Sequence, residues 1–267
     1  MQHDGEAAEP GESVEASSTG SSASEAAQLL LEARRTGITL PHLLPHLRPS
    51  SQADAHHIQD AIIAQLGSVG GWKIFAGDDA APFLSPLPAT LIFNQGHVGA
   101  RGPLPIVLVE LEIALTLGRD LWAQKSSYDA ASVREAVASL HPLIELITFS
   151  WTDRDQVDRL TQLSDLQNSA GFVVGGGLSD WEMLDTGNAK STLIFDGVEQ
   201  ANASTGADTA TILRTLALLA NHALARGMPL RRGQVITTGA RLVAPTGAAK
   251  TIRGEIAGLG AVETTLG

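Results

Sequence analysis

The 267 residues include no cysteine, and only 18 are lysine or arginine, against 29 aspartates and glutamates. Without thiols the chain can form no disulfide, no zinc-thiolate centre and no cysteine nucleophile. That fits a reducing compartment, so a cytoplasmic location is expected. The net charge of -11 comes with no basic cluster. Nucleic acid is therefore not an expected partner, since phosphate binding needs grouped cations. No apolar run approaches the roughly 20 residues needed to cross a bilayer, so no membrane partner is expected either. Residues 1–24 lack lysine and arginine altogether, unlike a signal or mitochondrial peptide, which would be basic. They consist largely of serine, glycine, alanine and acids, and read as a disordered, solvated tail without a function of its own.

What is present describes an ordinary globular protein, 43% hydrophobic and 18% charged, long enough for one large domain or a small domain docked on a larger one. Order is expected to begin at Ser22-Ala23-Ser24-Glu25, a capping box ahead of Leu29, Leu30 and Ala33. After a stretch broken by Pro41, Pro45 and Pro49, Ser51 can cap a second helix with Ala55, Ile58, Ile62 and Leu66 on one face. His56 and His57 on that helix are adjacent and do not converge, so they read as surface or interface groups. The expected organisation is a tail over 1–24, a helical part over 25–70 and a mixed β domain over 71–267.

The stretch 106–117 is a buried strand in pattern, interrupted by Glu110 and Glu112. Strand side chains alternate faces, so these carboxylates point the same way while Val109, Leu111, Ile113 and Leu115 pack on the other side. Two like charges side by side need a cation or a proton. A hard divalent ion such as Mg²⁺ or Mn²⁺ would serve, and the wet face of an edge strand would serve equally well. A third glutamate, Glu145, sits in the middle of another apolar run, 143–147.

Elsewhere, Gly70-Gly71-Trp72-Lys73-Ile74-Phe75 is a turn into a strand. Lys73 there is either a snorkelling surface lysine or a buried one whose lowered pKa suits acid–base work. The segments 77–79 and 82–88 read as loop. Asp129 can cap a helix carrying Val133, Val137 and Leu140, and Asp196-Gly197 marks a hairpin. A long helix spans about 208–226. The strand 235–239 then leaves into a loop at Gly239, where backbone can approach a ligand closely. Strands dominate without regular βα alternation, so the fold class is α+β.

Taken in order, Trp72-Lys73-Ile74, the 109–115 strand, Pro142-Leu143-Ile144-Glu145, Gly171-Phe172-Val173-Val174-Gly175-Gly176, the 232–239 strand and Ile256-Ala257-Gly258-Leu259-Gly260 resemble the 2-keto-4-pentenoate hydratase family, within the fumarylacetoacetate hydrolase superfamily. The likeness runs over roughly 25–267. It implies a large curved mixed β-sheet with a small helical N-terminal part, and a homo-oligomer. It also implies that Glu110, Glu112 and Glu145 bind Mg²⁺ or Mn²⁺, that Lys73 is the active-site lysine, and that Asp165 holds a catalytic water. The substrate would be a small-molecule 2-oxo acid: a hydro-lyase adds water to a 2-hydroxy-dienoate through its 2-oxo-enoate tautomer, with the enolate stabilised by the metal. Decarboxylation of a 2-oxo-dioic acid, as of 4-oxalocrotonate, would use the same ligands, and a non-catalytic partner would keep the fold alone.

Four departures from the family pattern bear on the substrate. Leu108 replaces a basic residue, Phe75 occupies a glycine's place, Asp165-Leu166 replaces Asp-Asn, and Ala210-Thr211-Ile212 stands where Gly-His-Pro would open the long helix. Together with Thr238 and Gly239, Phe75 and Leu108 are expected to line the substrate pocket, and the changes favour a larger or more apolar oxo acid.

Overall fold

The computed structural model describes residues 11–75, 82–99 and 102–267, with side chains from residue 20 onward apart from those of 75, 98 and 99. Two helices open the chain, α1 (Gly11–Thr36) and α2 (Gln52–Leu66). Helix α1 starts ahead of the capping box expected at Ser22, and its burial begins at Ala23, with Ala26, Ala27 and Leu30 packed against α2. Ser51 caps α2 as expected, reciprocated by Asp54. His56, expected at the surface or at an interface, is buried where α2 lies against the C-terminal end of a later helix, and its ring meets His222 edge-on, 4.8 Å between centroids.

Strands β1 (Val69–Phe75), β2 (Phe83–Pro88), β3 (Ile92–Asn94), β4 (Val98–Gly99) and β5 (Leu108–Leu117) follow. β2 forms where a loop was expected: despite Pro86 and Pro88, its Leu84, Ser85 and Leu87 pair antiparallel with β1. Helix α3 (Ala130–Arg134) is shorter than expected, since Val137 and Leu140 already belong to β6 (Val137–Ile147). Then come α4 (Arg159–Ser164), β7 (Ser169–Val174), the hairpin β8 (Ser191–Phe195) and β9 (Val198–Ala203), and α5 (Thr209–Ala225). The hairpin turns on Asp196 and Gly197 at φ 49° and 81°, the conformation that an Asp-Gly pair favours. Strands β10 (Val235–Pro245), β11 (Thr251–Ile256) and β12 (Gly260–Leu266) close the chain.

Seven strands form one mixed sheet in the order β2-β1-β10-β5-β6-β7-β3, and five form a second, β4-β12-β11-β8-β9. This is the α+β architecture the strand-rich pattern implied. The apolar face of β5, from Val109 to Leu117 at every second residue, joins one core with Leu193, Phe195 and Ile252 of the second sheet and Ile212, Leu216 and Leu219 of α5. Gly254 allows that close approach, since a Cβ there would lie 2.4 Å from Leu111 Cδ1. The opposite face carries the glutamates at its open end and is closed further along by Ala114, Leu143, Phe172 and Leu87. A third cluster unites α1 and α2 with Trp151, Val157 and Leu166, so the helical part shares its core with the chain around α4.

Candidate metal centre

β5 and β6 run antiparallel with Glu110 directly opposite Glu145, and Glu112 two residues along β5 faces the same side. One carboxylate oxygen from each of the three lies within 4.8 Å of the others. Glu112 and Glu145 are wholly buried, and Glu110 is partly exposed. Like charges opposed across a strand pair are destabilising, so this face is built around a cation. One is present in the chain itself: Lys73 of β1 places Nζ 2.6 Å from Glu145 Oε1 and 3.6 Å from Glu110 Oε2. Lys73 is thus buried and ion-paired rather than snorkelling, and the wet edge strand is ruled out for β5, which lies between β10 and β6.

Two further contacts fix the carboxylates. Ser169 Oγ donates to Glu145 Oε1 at 2.8 Å. Glu112 Oε2 accepts from the backbone N–H groups of Thr238 (3.1 Å) and Gly239 (3.0 Å). Those N–H groups converge because β10 bulges between Thr237 and Ala240, with Gly239 at φ 97°, a conformation that suits glycine. The strand was expected to end there; it continues through the bulge to Pro245.

After these bonds, Glu112 Oε1 and Glu145 Oε2 remain buried without a hydrogen-bond partner. Orphaned carboxylate oxygens on the same face, with Glu110 beside them, are what a hard divalent ion with oxygen ligands requires, so the donor set fits Mg²⁺ or Mn²⁺. Burial first, and the Glu110 charge second, push the Glu112 carboxyl up to about 7. Burial alone would lower the Lys73 amine, but Glu145, Glu110 and Glu112 outweigh it and hold the ammonium above the ordinary lysine value. The buried alternative read from the sequence was the reverse, an amine ready to lose its proton near neutrality; the surrounding acid charge decides the sign.

Glu110, Glu112 and Lys73 open on a cavity of about 1020 Å³ that is also lined by Leu108, Thr238 and Gly239. The Thr238 hydroxyl is turned to the Ile113 carbonyl, 2.7 Å away. The Phe75 side chain lies outside the described residues. Asp165 is placed differently from the role expected of it. It does not line the cavity; its buried Oδ1 accepts from Arg34 Nε at 2.8 Å. Sequence reasoning missed Ser169, Arg34, Asn168 and Arg241. Arg34 stands 131 residues from Asp165, and nothing in its local pattern marks it.

A family model described as fumarylacetoacetate (FAA) hydrolase C-terminal matches residues 83–267. A 2-keto-4-pentenoate hydratase of Burkholderia vietnamiensis is 32% identical over 186 residues, covering 69% of this chain and 70% of that one. The chain belongs to the 2-keto-4-pentenoate hydratase family of the fumarylacetoacetate hydrolase superfamily. It is therefore a member of an enzyme family. Among solved structures, the 4-oxalocrotonate decarboxylase of Pseudomonas putida G7 complexed with magnesium and adipate superimposes with a TM-score of 0.78 at 20% identity, over 92% of this chain and 97% of that one. The fumarylpyruvate hydrolase of Pseudomonas aeruginosa, in complex with Mn²⁺ and pyruvate, gives 0.55 at 14% identity, over 73% and 88%. At these identities the superpositions speak for the fold shared across the superfamily. No described helix is long and apolar enough to cross a membrane.

Proposed function

We propose that the protein is a divalent-metal-dependent hydro-lyase that adds water to a 2-hydroxy-dienoic acid, through the 2-oxo-enoate tautomer, giving a 4-hydroxy-2-oxo acid. The observation that carries this is the convergence of Glu110, Glu112 and Glu145 beside Lys73, with two buried carboxylate oxygens left unpartnered, in a chain related to 2-keto-4-pentenoate hydratases.

The three glutamates would hold Mg²⁺ or Mn²⁺, which when bound supplies positive charge to the carboxylate and 2-oxo oxygens of the substrate. The chain's own residues set the rest. Thr238 and Gly239 N–H groups fix one oxygen of Glu112, and Ser169 fixes one of Glu145, so the ligands are held before anything binds. Lys73, held as an ammonium at the cavity wall by the carboxylates around it, would offer positive charge and N–H donors to the developing enolate. The overall change balances simply: the 2-hydroxyl proton moves to the terminal diene carbon, then water contributes its oxygen to the fourth carbon and a proton to the third. Homo-oligomeric assembly belongs to the same proposal.

One observation favours a second reading. The Arg241 guanidinium lines the cavity and spends its hydrogen bonds on the Ser191 hydroxyl and the Thr186 and Ala189 carbonyls, with no carboxylate partner among the described residues. A dioic acid could bring that carboxylate, and the reaction would then be loss of CO₂, as in the Pseudomonas putida decarboxylase. The test is to incubate the protein with Mg²⁺ or Mn²⁺ and each substrate class and to weigh the product. A gain of water supports the hydratase; a loss of CO₂ from the dioate with no hydration of the dienoate replaces it. Glu110→Ala and Glu145→Ala should each lose turnover and bound metal, and retention of both would end the metal-site assignment.

A further inference from the structure

Between α4 and β7 the backbone does something unusual: Leu166, Gln167 and Asn168 all have positive φ, at 50°, 54° and 62°. Non-glycine residues rarely enter this left-handed region, and a run of three needs support from outside. Arg34 of α1 supplies it by gripping both ends of the turn. Its Nε donates to Asp165 Oδ1 (2.8 Å), Nη2 to the Asp165 carbonyl (3.0 Å) and Nη1 to the Ser169 carbonyl (2.7 Å). Asn168 N–H returns to the same Asp165 carbonyl at 2.9 Å, and its own carbonyl accepts from Thr148 N–H at 3.0 Å.

The turn sorts its three side chains. Leu166 is buried in the helical cluster, while Gln167 and Asn168 line the cavity. The Gln167 amide is occupied, its Nε2 donating to Ser85 Oγ at 3.0 Å. Asn168 differs. It is only 6% exposed, it faces the cavity, and its amide oxygen has no hydrogen-bond partner. A buried amide left unsatisfied is costly unless a ligand completes it. Its neighbour Ser169 bonds Glu145, so the amide stands one residue from a metal-centre contact. Leu166 stands where the family pattern has an asparagine, and this chain carries an amide two residues later, at Asn168.

We propose that Asn168 is the substrate-contacting residue that receives the hydroxyl of the 4-hydroxy-2-oxo acid, and equally the water from which it forms, and that Arg34 is its positioning residue. The proposal rests on the hydratase reading for the identity of that hydroxyl. A hydroxyl both donates and accepts, so it pairs with the amide in either orientation. The left-handed turn holds the amide in place, so its orientation is set before the substrate arrives. Asn is among the few residues that tolerate this backbone, which gives a reason for its presence beyond the amide itself.

The experiment compares two ligands on the full chain with Mg²⁺, by calorimetry: 4-hydroxy-2-oxopentanoate and 2-oxopentanoate, which lacks the hydroxyl. The wild type should bind the hydroxy acid about tenfold more tightly, the worth of one good hydrogen bond. Asn168→Gly keeps the positive φ without strain and should bring the two affinities within about twofold, with 2-oxopentanoate unchanged. Asn168→Asp, which keeps an acceptor and tolerates the turn, should retain the preference. Arg34→Lys cannot hold both carbonyls and should reduce the preference while leaving the affinity for 2-oxopentanoate as it was. A wild type without preference, or Asn168→Gly with the full preference, overturns the proposal. Preference without turnover of a dienoate overturns the hydratase reading and leaves the Asn168 contact standing.

Discussion

Replacing Lys73 by methionine removes the cation that pairs with Glu145 and Glu110, and the cost can be worked from the geometry. Nζ lies 2.6 Å from Glu145 and 3.6 Å from Glu110, and lysine and Glu145 are both buried. Unit charges about 4 Å apart interact by about 4 kcal/mol at an effective dielectric near 20, and deleting one partner of a buried pair typically costs 3–5 kcal/mol. The cluster has one means of relief. Because the Glu112 pKa is raised to about 7, the carboxylates can take up a proton in place of the lost ammonium. The loss in Lys73→Met should therefore fall near the low end, about 3 kcal/mol, or roughly 6–12 °C in melting temperature for a chain of this size. Methionine fills the lysine stem's volume, so packing contributes little. Mg²⁺ should reverse much of the loss, since a ligand at a hundred times its Kd stabilises by about 2.7 kcal/mol. The variant should also bind Mg²⁺ more tightly than wild type, a competing positive charge having gone. The assay is a pair of melts, in EDTA and in millimolar Mg²⁺, for both proteins. Equal melting temperatures in EDTA, or no response of either protein to Mg²⁺, would refute the reasoning.

Gly239→Ala should cost about 1 kcal/mol, because φ 97° is unfavourable for alanine although nothing crowds its Cβ, and Mg²⁺ affinity should fall as the N–H groups on Glu112 shift; urea unfolding and metal titration read the two effects. Burial first, and the Arg226 charge second, hold His56 at about 3 and His222 at about 4, with His222 and His57 also facing His56, and Asp60 acting the other way on His222. Both rings fold neutral, so their contribution is fully present above the unfolded pKa of about 6.5 and is lost as pH falls from there toward 4 and 3. Urea midpoints should drop over that window by an amount worth about 1–2 kcal/mol, discounted because His222 is only half-buried, and His56→Phe should flatten the profile. A cavity of about 1020 Å³ is at the upper end of those that enclose drug-sized ligands, and Leu108 lines it where the family has a basic residue. Steady-state rates should therefore show aryl-bearing 2-hydroxy-dienoates turned over at least as well as the shortest one, and a clear preference for the shortest would refute the enlarged pocket.

The elements legible in the sequence were those whose cause is local. The Ser51 capping box, the Asp196-Gly197 turn and the alternation along β5 each rest on a few neighbouring residues, and each formed. Where expectation and structure part, a distant surface decided. β2 reads as loop because of its prolines, yet it lies at the end of its sheet, where a missing N–H is tolerated. Val137 and Leu140 fit a helical stripe after Asp129, but pairing with β5 recruits them as strand. His56 could be read only as a surface or interface group because the surface that buries it, at His222 and Arg226, arrives more than 160 residues later.

The site divides in the same way, and the division shows what a carboxylate pattern can and cannot say. Glu110 and Glu112 share a face by strand geometry alone, so their pairing followed from two residues. That Glu145 stands opposite Glu110, and that the cation among them is Lys73, depends on register across β1, β10, β5 and β6, which no local pattern specifies. The sign of the Lys73 shift depends on it too: in an apolar pocket its burial would yield a base, whereas among three carboxylates it stays a charged ammonium that keeps its proton. Asp165 makes the same point from the other side. Its place ahead of the Gly-rich strand suggested a water-holding base, but with Arg34 on its Oδ1 it anchors the turn that carries Asn168. The polar group facing the cavity was three residues away from the one the motif named, and only the backbone between them, left-handed at every step, explains why.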